Sequence, residues 1–139
     1  RGDDWVEVAG NTLSSGEYTF NLANMPDMVP TLAVLAAVRP GRTVIADVSH
    51  LRLKESDRLA ALAAELRKTG VRVEERQDGL IIEGDRPHGA AIETYDDHRI
   101  AMSFAILGLA VPGITIQNAG CVDKSFPGFW DQLKKLYRR

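Results

Sequence analysis

An α/β fold built from repeated βαβαββ units, about one and two-thirds copies of them, is the class that this sequence of 139 residues predicts. The apolar pattern switches between a period of two and a period near 3.6 along the chain, which separates strands from helices. The resulting order is β-α-β-α-β-β followed by β-α-β-α, so the second half repeats the first and stops early. Three spacings carry the repeat. Asp27 and Asp97 stand 70 apart, each opening an apolar helix, and Lys54 and Lys124 stand 70 apart, each ahead of a helix. Gly41 and Gly113 stand 72 apart, each in the turn before a strand. The first repeat is expected over about 17–84 and the incomplete second over about 90–139, within a single partial domain covering 1–139.

The elements follow in order. Val6 and Val8 alternate with polar neighbours as a short strand, and "YTFNL" (18–22) reads as a second strand. "DMVPTLAVLAAV" (27–38) has helical apolar density, and Pro30 is tolerated because it falls in the first turn. "RTVIADV" is a strand after Pro40 and Gly41. Ser56 is the expected N-cap of a helix striped by Leu59, Leu62 and Leu66, which Gly70 closes. "VRVEE" and "LIIEG" flank an Asp78-Gly79 turn as a hairpin. "AIETY" is a strand, "HRIAMSFAILGLA" a helix, "GITIQN" a strand and "FPGFWDQLKKLY" an amphipathic helix.

Composition narrows the function. With 45% hydrophobic and 26% charged residues the chain can bury a core, and its net charge of −2 gives no general attraction to nucleic acid or anionic membrane. No apolar run reaches the ~20 residues of a membrane span. Cys121 is the only cysteine, so an intrachain disulfide is excluded and a reducing, cytoplasmic home is expected. There is no G-x-G-x-x-G, P-loop or G-x-S-x-G motif. His50, His88 and His98 form no i, i+4 pair, and no metal is expected.

The chemistry gathers where helices begin. "LRLKESDR" (51–58) places Arg52, Lys54 and Arg58 at a helix start, His98 and Arg99 open the next helix, and Lys124 precedes the last. Cations there oppose the helix dipole, each by ~0.3–1 kcal/mol. If the corresponding helix ends share one face, their free N–H groups and these side chains form a strong anion site. The alternative is a set of solvated charges with local partners, Glu55 with Arg58 and Asp96 with Arg99. Asp27 and Glu55 are the acid/base candidates. Their plainer readings are a helix cap for Asp27 and a salt-bridge partner for Glu55.

"LKESDRLAALAAELRKTG", "TYDDHRIAMSFAILGLA" and "CVDKSFPGFWDQL" closely resemble the C-terminal part of the 5-enolpyruvylshikimate-3-phosphate synthase (3-phosphoshikimate 1-carboxyvinyltransferase) family, and "NMPDMVPTLAVLAA" resembles its preceding helix. The match runs from "RGDDW" to "KKLY". The sister family, UDP-N-acetylglucosamine enolpyruvyl transferase, shares the D-R helix but fits the other motifs less well. The resemblance implies part of an inside-out α/β barrel domain, with the active site in a cleft between two domains. It also implies that this is the last third of a longer chain, which depends on its N-terminal part and is inactive without it.

The implied reaction belongs to the shikimate pathway, toward chorismate and the aromatic amino acids. It transfers the enolpyruvyl group of phosphoenolpyruvate to the 5-hydroxyl of shikimate 3-phosphate, releasing phosphate, with no cofactor. By the same resemblance, Asp27 would hold the shikimate hydroxyls and act as base on the 5-hydroxyl. Glu55 would handle the proton at the methylene carbon. Arg58, Arg99 and Lys124 would grip phosphoenolpyruvate with His98 beside them, and Lys54 would contact shikimate 3-phosphate. Position 50 is His where the family often carries Asn, so His50 stays outside the set. The other reading is a non-catalytic fragment whose cations retain anions.

Overall fold

The computed structural model describes residues 2–7, 10 and 12–137. Among them the elements run β1 (Gly16–Asn21), α1 (Val29–Val38), β2 (Gly41–Ala46), α2 (Arg58–Lys68), β3 (Arg72–Arg76), β4 (Gly79–Gly84), β5 (Ala91–Ile92), α3 (His98–Ala110), β6 (Thr115–Ile116) and α4 (Phe129–Tyr137). Short 3₁₀ helices at Pro26–Met28, Ser49–Leu53 and Ala119–Val122 precede α1, α2 and α4. The expected first strand is not formed at Val6, which lies in irregular chain, and Val8 is outside the described residues.

A four-stranded sheet runs in the order β1-β2-β4-β3. β1 and β2 are parallel with α1 as their crossover, whereas β2–β4 and β4–β3 are antiparallel. β5 and β6 form a separate parallel pair joined through α3. Parallel neighbours need such a crossover, because a tight turn can only reverse the chain.

α1, α2 and α3 pack around Ala33, Leu59, Leu62, Leu66, Ile82 and Phe104, all fully buried. The alanines of α1 let its axis come close to the sheet. Phe129 and Leu133 of α4 join a second cluster with Ala101, Ala105 and Val122.

Local chemistry accounts for the boundaries. Pro30 sits in the first turn of α1, where the missing N–H has no intrahelical partner to lose. Gly70 has φ +85° and ends α2 in the left-handed conformation that a glycine adopts without strain. α2 is capped by Asp57 and not by Ser56: the Asp57 carboxylate accepts the Ala60 N–H at 3.0 Å. Ser56 instead donates its hydroxyl to Asp97 at 3.1 Å.

The β3–β4 hairpin turns at Gln77 and Asp78, and Gly79 is already in the strand, paired with Arg76. Gly79 is required for a different reason from the positive φ expected of a turn: a Cβ there would overlap the Ile45 carbonyl oxygen. Gly79→Ala is therefore expected to destabilise the fold by ~1–3 kcal/mol through overpacking. A urea-denaturation midpoint equal to the parent's would contradict that account.

The two later strands are shorter than their apolar patterns. β5 ends because the next N–H, on Glu93, is given to the side chain of Glu65, after which Tyr95 and Asp96 turn left-handed. β6 ends before Asn118, which is left-handed at φ +48°.

Candidate active site

β1 and β2 point their C-terminal ends toward the segments that carry the charged candidates. The 3₁₀ helix after β1 holds Asp27. The loop after β2 holds Lys54 and Glu55, Arg58 opens α2, and the start of α3 holds His98 and Arg99. Residues far apart in sequence meet here. Asp27 does not cap its helix: the N-cap positions are Met25 and Met28, and neither has a side-chain cap bond. Its carboxylate instead takes the Arg99 Nη2 donor at 2.8 Å and lies 3.5 Å from Arg58 Nη1.

Arg58 is the centre of the cluster and is only 1% exposed. Its Nε donates to Asp97 at 2.7 Å, and its Nη2 donates to Glu55 at 2.7 Å. Asp97, fully buried, was absent from the candidate set. It caps α3 by accepting the Arg99 N–H at 2.9 Å, and so joins two helix starts through one carboxylate. Its signal in the sequence is the second acid of "DDHR", read there only as opening an apolar helix, while the local pair considered was Asp96 with Arg99. Of the local pairs expected, Glu55–Arg58 forms. Arg99 pairs with Asp27, and Asp96 pairs with Lys124 at 3.6 Å.

The three cations of "LRLKESDR" separate into three roles. Arg52 turns away to the hairpin, donating to the Gln77 and Arg76 carbonyls at 2.9 and 2.6 Å and to Glu75 at 2.8 Å. It also reaches Asp57 at 2.9 Å, so it clamps the loop and the cap of α2 together. Lys54 is exposed and unpaired among the described residues. Arg58 is buried. Arg99 and Lys124 are partly open, at 34% and 46% exposure. Lys124 reaches the site's rim by donating to the Asp96 carbonyl at 2.8 Å. His98 Nδ1 is buried with no hydrogen-bond partner among the described residues. His50 is exposed on the 3₁₀ helix Ser49–Leu53.

Electrostatics follow from this packing. Burial pushes the Asp97 carboxyl up, but the Arg58 guanidinium, with help from the Arg99 N–H and the Ser56 hydroxyl, outweighs it and holds the group below its ordinary value of 3.8. A carboxyl whose folded pKa is depressed adds stability above its unfolded value and loses it as pH falls through the folded one. Acid unfolding is thus expected to draw on Asp97 below about pH 4. Denaturation midpoints followed from pH 5 to 2 should fall less steeply in Asp97→Asn. Equal slopes would contradict the assignment.

The arrangement has the means to receive an anion: the half-open Arg99 is paired with Asp27, which the buried Arg58 also approaches, and the half-open Lys124 lies near Asp96. A ligand with two anionic groups can replace the carboxylates as partner of those cations, and the freed carboxylates can then exchange protons with it.

Comparison with known proteins gives the family. Residues 1–133 match the profile described as EPSP synthase (3-phosphoshikimate 1-carboxyvinyltransferase), and the chain belongs to that family. The 3-phosphoshikimate 1-carboxyvinyltransferase of Methanocella arvoryzae is 57% identical over 137 residues, covering 95% of this chain and 32% of the relative. That of Thermococcus kodakarensis is 47% identical over 137 residues, covering 98% of this chain and 34% of the relative. The structure of EPSP synthase from Acinetobacter baumannii superposes with a TM-score of 0.74 at 39% identity, covering 79% of this chain and 27% of that one. The fold is that of the enolpyruvyl transferases. The chain spans about a third of the length of the curated relatives it matches. Among the described residues no helix is long and apolar enough to cross a membrane.

Proposed function

We propose that this chain supplies one wall of the active site of a 3-phosphoshikimate 1-carboxyvinyltransferase working in the cytoplasm. The enzyme transfers the enolpyruvyl group of phosphoenolpyruvate to the 5-hydroxyl of shikimate 3-phosphate. The observation that carries the reading is the meeting of Asp27, Glu55, Arg58, Asp97 and Arg99, drawn from three segments, at one face.

In the addition step the 5-hydroxyl oxygen bonds to the central carbon of phosphoenolpyruvate. Asp27 takes the hydroxyl proton, and Glu55 delivers a proton to the methylene carbon. In the elimination step the carbon–oxygen bond to phosphate breaks, a proton leaves the same carbon to Glu55, and the enol ether and phosphate remain. Arg99 and Lys124 hold the carboxylate and phosphate, and stabilise the charge that grows on the departing phosphate. Arg58 keeps Glu55 and Asp27 in place from beneath. Its Nη1, the loosest of its contacts at 3.5 Å, is the donor a ligand can claim. His98 stands beside these cations, and Lys54 meets the 3-phosphate of shikimate. Acid–base transfer and charge stabilisation account for every step, so the reading calls for no cofactor.

The test joins this chain to the first two-thirds of the Methanocella arvoryzae relative and follows phosphate release. Release is expected with phosphoenolpyruvate plus shikimate 3-phosphate, and not with UDP-N-acetylglucosamine as acceptor. A folded but silent assembly, or a preference for the UDP-sugar, would overturn the proposal. Turnover by the chain alone would overturn the view that it is only one wall.

A further inference from the structure

The site rests on a turn that its own residues disfavour. Tyr95 and Asp96 have φ of +53° and +55°, and the Asp97 N–H closes the turn on the Thr94 carbonyl at 2.8 Å. Two successive left-handed residues are the pattern that tight turns normally fill with Asn-Gly. A tyrosine there is an outlier, because its Cβ crowds the backbone. Such conformations persist only where the surroundings over-determine them.

The surroundings are specific. Glu65, fully buried in the middle of α2, accepts the Tyr95 hydroxyl at 2.7 Å and the Glu93 N–H at 3.0 Å. Lys68 balances its charge from 2.7 Å. One carboxylate on α2 therefore ties down both the end of β5 and the turn that follows. Burial and the Glu65 carboxylate push the Tyr95 phenol up to about 12, so it remains a donor throughout the neutral range. On the far side of the turn, the Asp96 carbonyl holds Lys124, and Asp97 holds Arg58 and caps α3 beside Arg99. The mechanism above uses neither Glu65 nor Tyr95.

We infer that Glu65 and Tyr95 are positioning residues: the buried carboxylate latches the Tyr95–Asp96 turn in its left-handed form, and the turn sets where Asp97, Arg99 and Lys124 meet an anionic substrate. The inference rests on the function proposed above.

Glycine separates this role from ordinary packing. In the assembled full-length enzyme, Tyr95→Ala removes the latch and keeps a Cβ that resists the turn. The KM for phosphoenolpyruvate is expected to rise ~10–100-fold, the scale of a small misplacement. Protection of the Asp97 amide against hydrogen exchange should fall with it. Tyr95→Gly removes the same latch but takes positive φ freely, so it should return both readouts toward the parent. Glu65→Gln, which lacks one acceptor oxygen, should move both in the direction of Tyr95→Ala.

If glycine is as impaired as alanine or worse, or if Glu65→Gln leaves KM and exchange unchanged, the inference falls. An assembly that turns over no phosphoenolpyruvate would defeat the functional proposal instead. The exchange pattern across the three variants would still decide the latch.

Discussion

Asp97→Ala is expected to cost about 3–5 kcal/mol of folding stability, a large fraction of what a domain of this size possesses. The substitution removes little volume. What it leaves is the Arg58 guanidinium, 1% exposed, without the carboxylate that binds its Nε, and with α3 uncapped. Glu55 and Asp27 remain near Arg58, but both are solvent-facing and reach only the Nη donors. An ion pair of this kind is costly to break and far less costly to replace altogether. The double variant Arg58→Met with Asp97→Leu should therefore recover a large part of the loss. Urea denaturation of the two variants against the parent decides the matter. A single-variant cost below ~1 kcal/mol, the range of an exposed ion pair, would mean that the pair is not desolvated.

Glu55→Gln carries the second large effect. In the full-length assembly its turnover is expected to fall ~10²–10⁴-fold, the range associated with losing a proton-transferring group, while phosphoenolpyruvate still binds. Structure makes the substitution a clean one. Glu55 meets Arg58 Nη2 at 2.7 Å, and the amide oxygen of glutamine can accept the same bond, so the loop should keep its shape. If turnover is unchanged, Glu55 is only a salt-bridge partner, and retention of anions becomes the better account of the cations around it.

The helices were readable because their signals are local. The 3.6-residue stripe, Pro30 and Gly70 located α1 and α2, and "HRIAMSFAILGLA" matched α3 residue for residue. Strand limits were less legible. β5 and β6 stop where backbone groups leave the ladder, for the Glu65 carboxylate and for the left-handed Tyr95, Asp96 and Asn118. None of these residues is a glycine, so composition carried no warning. The cap of α2 was missed by one residue for the same reason. Ser56 and Asp57 both qualify locally, and the choice is made by the distant Asp97, which takes the Ser56 hydroxyl, while Arg52 holds Asp57 from five residues away.

The site divides along that line. Sequence alone determined which side chains are available: clustered cations at helix starts, two acids among them, and motifs specific enough to mark the family. Only the tertiary structure decided their partners. Asp27 could not be assigned to Arg99 across 72 positions, nor Asp97 to Arg58 across 39, because a charge accepts any opposite charge that comes within reach. Burial is likewise a property of the assembled layers. It separates Arg58, enclosed by its carboxylate partners, from Lys54 in the same short motif, which faces solvent.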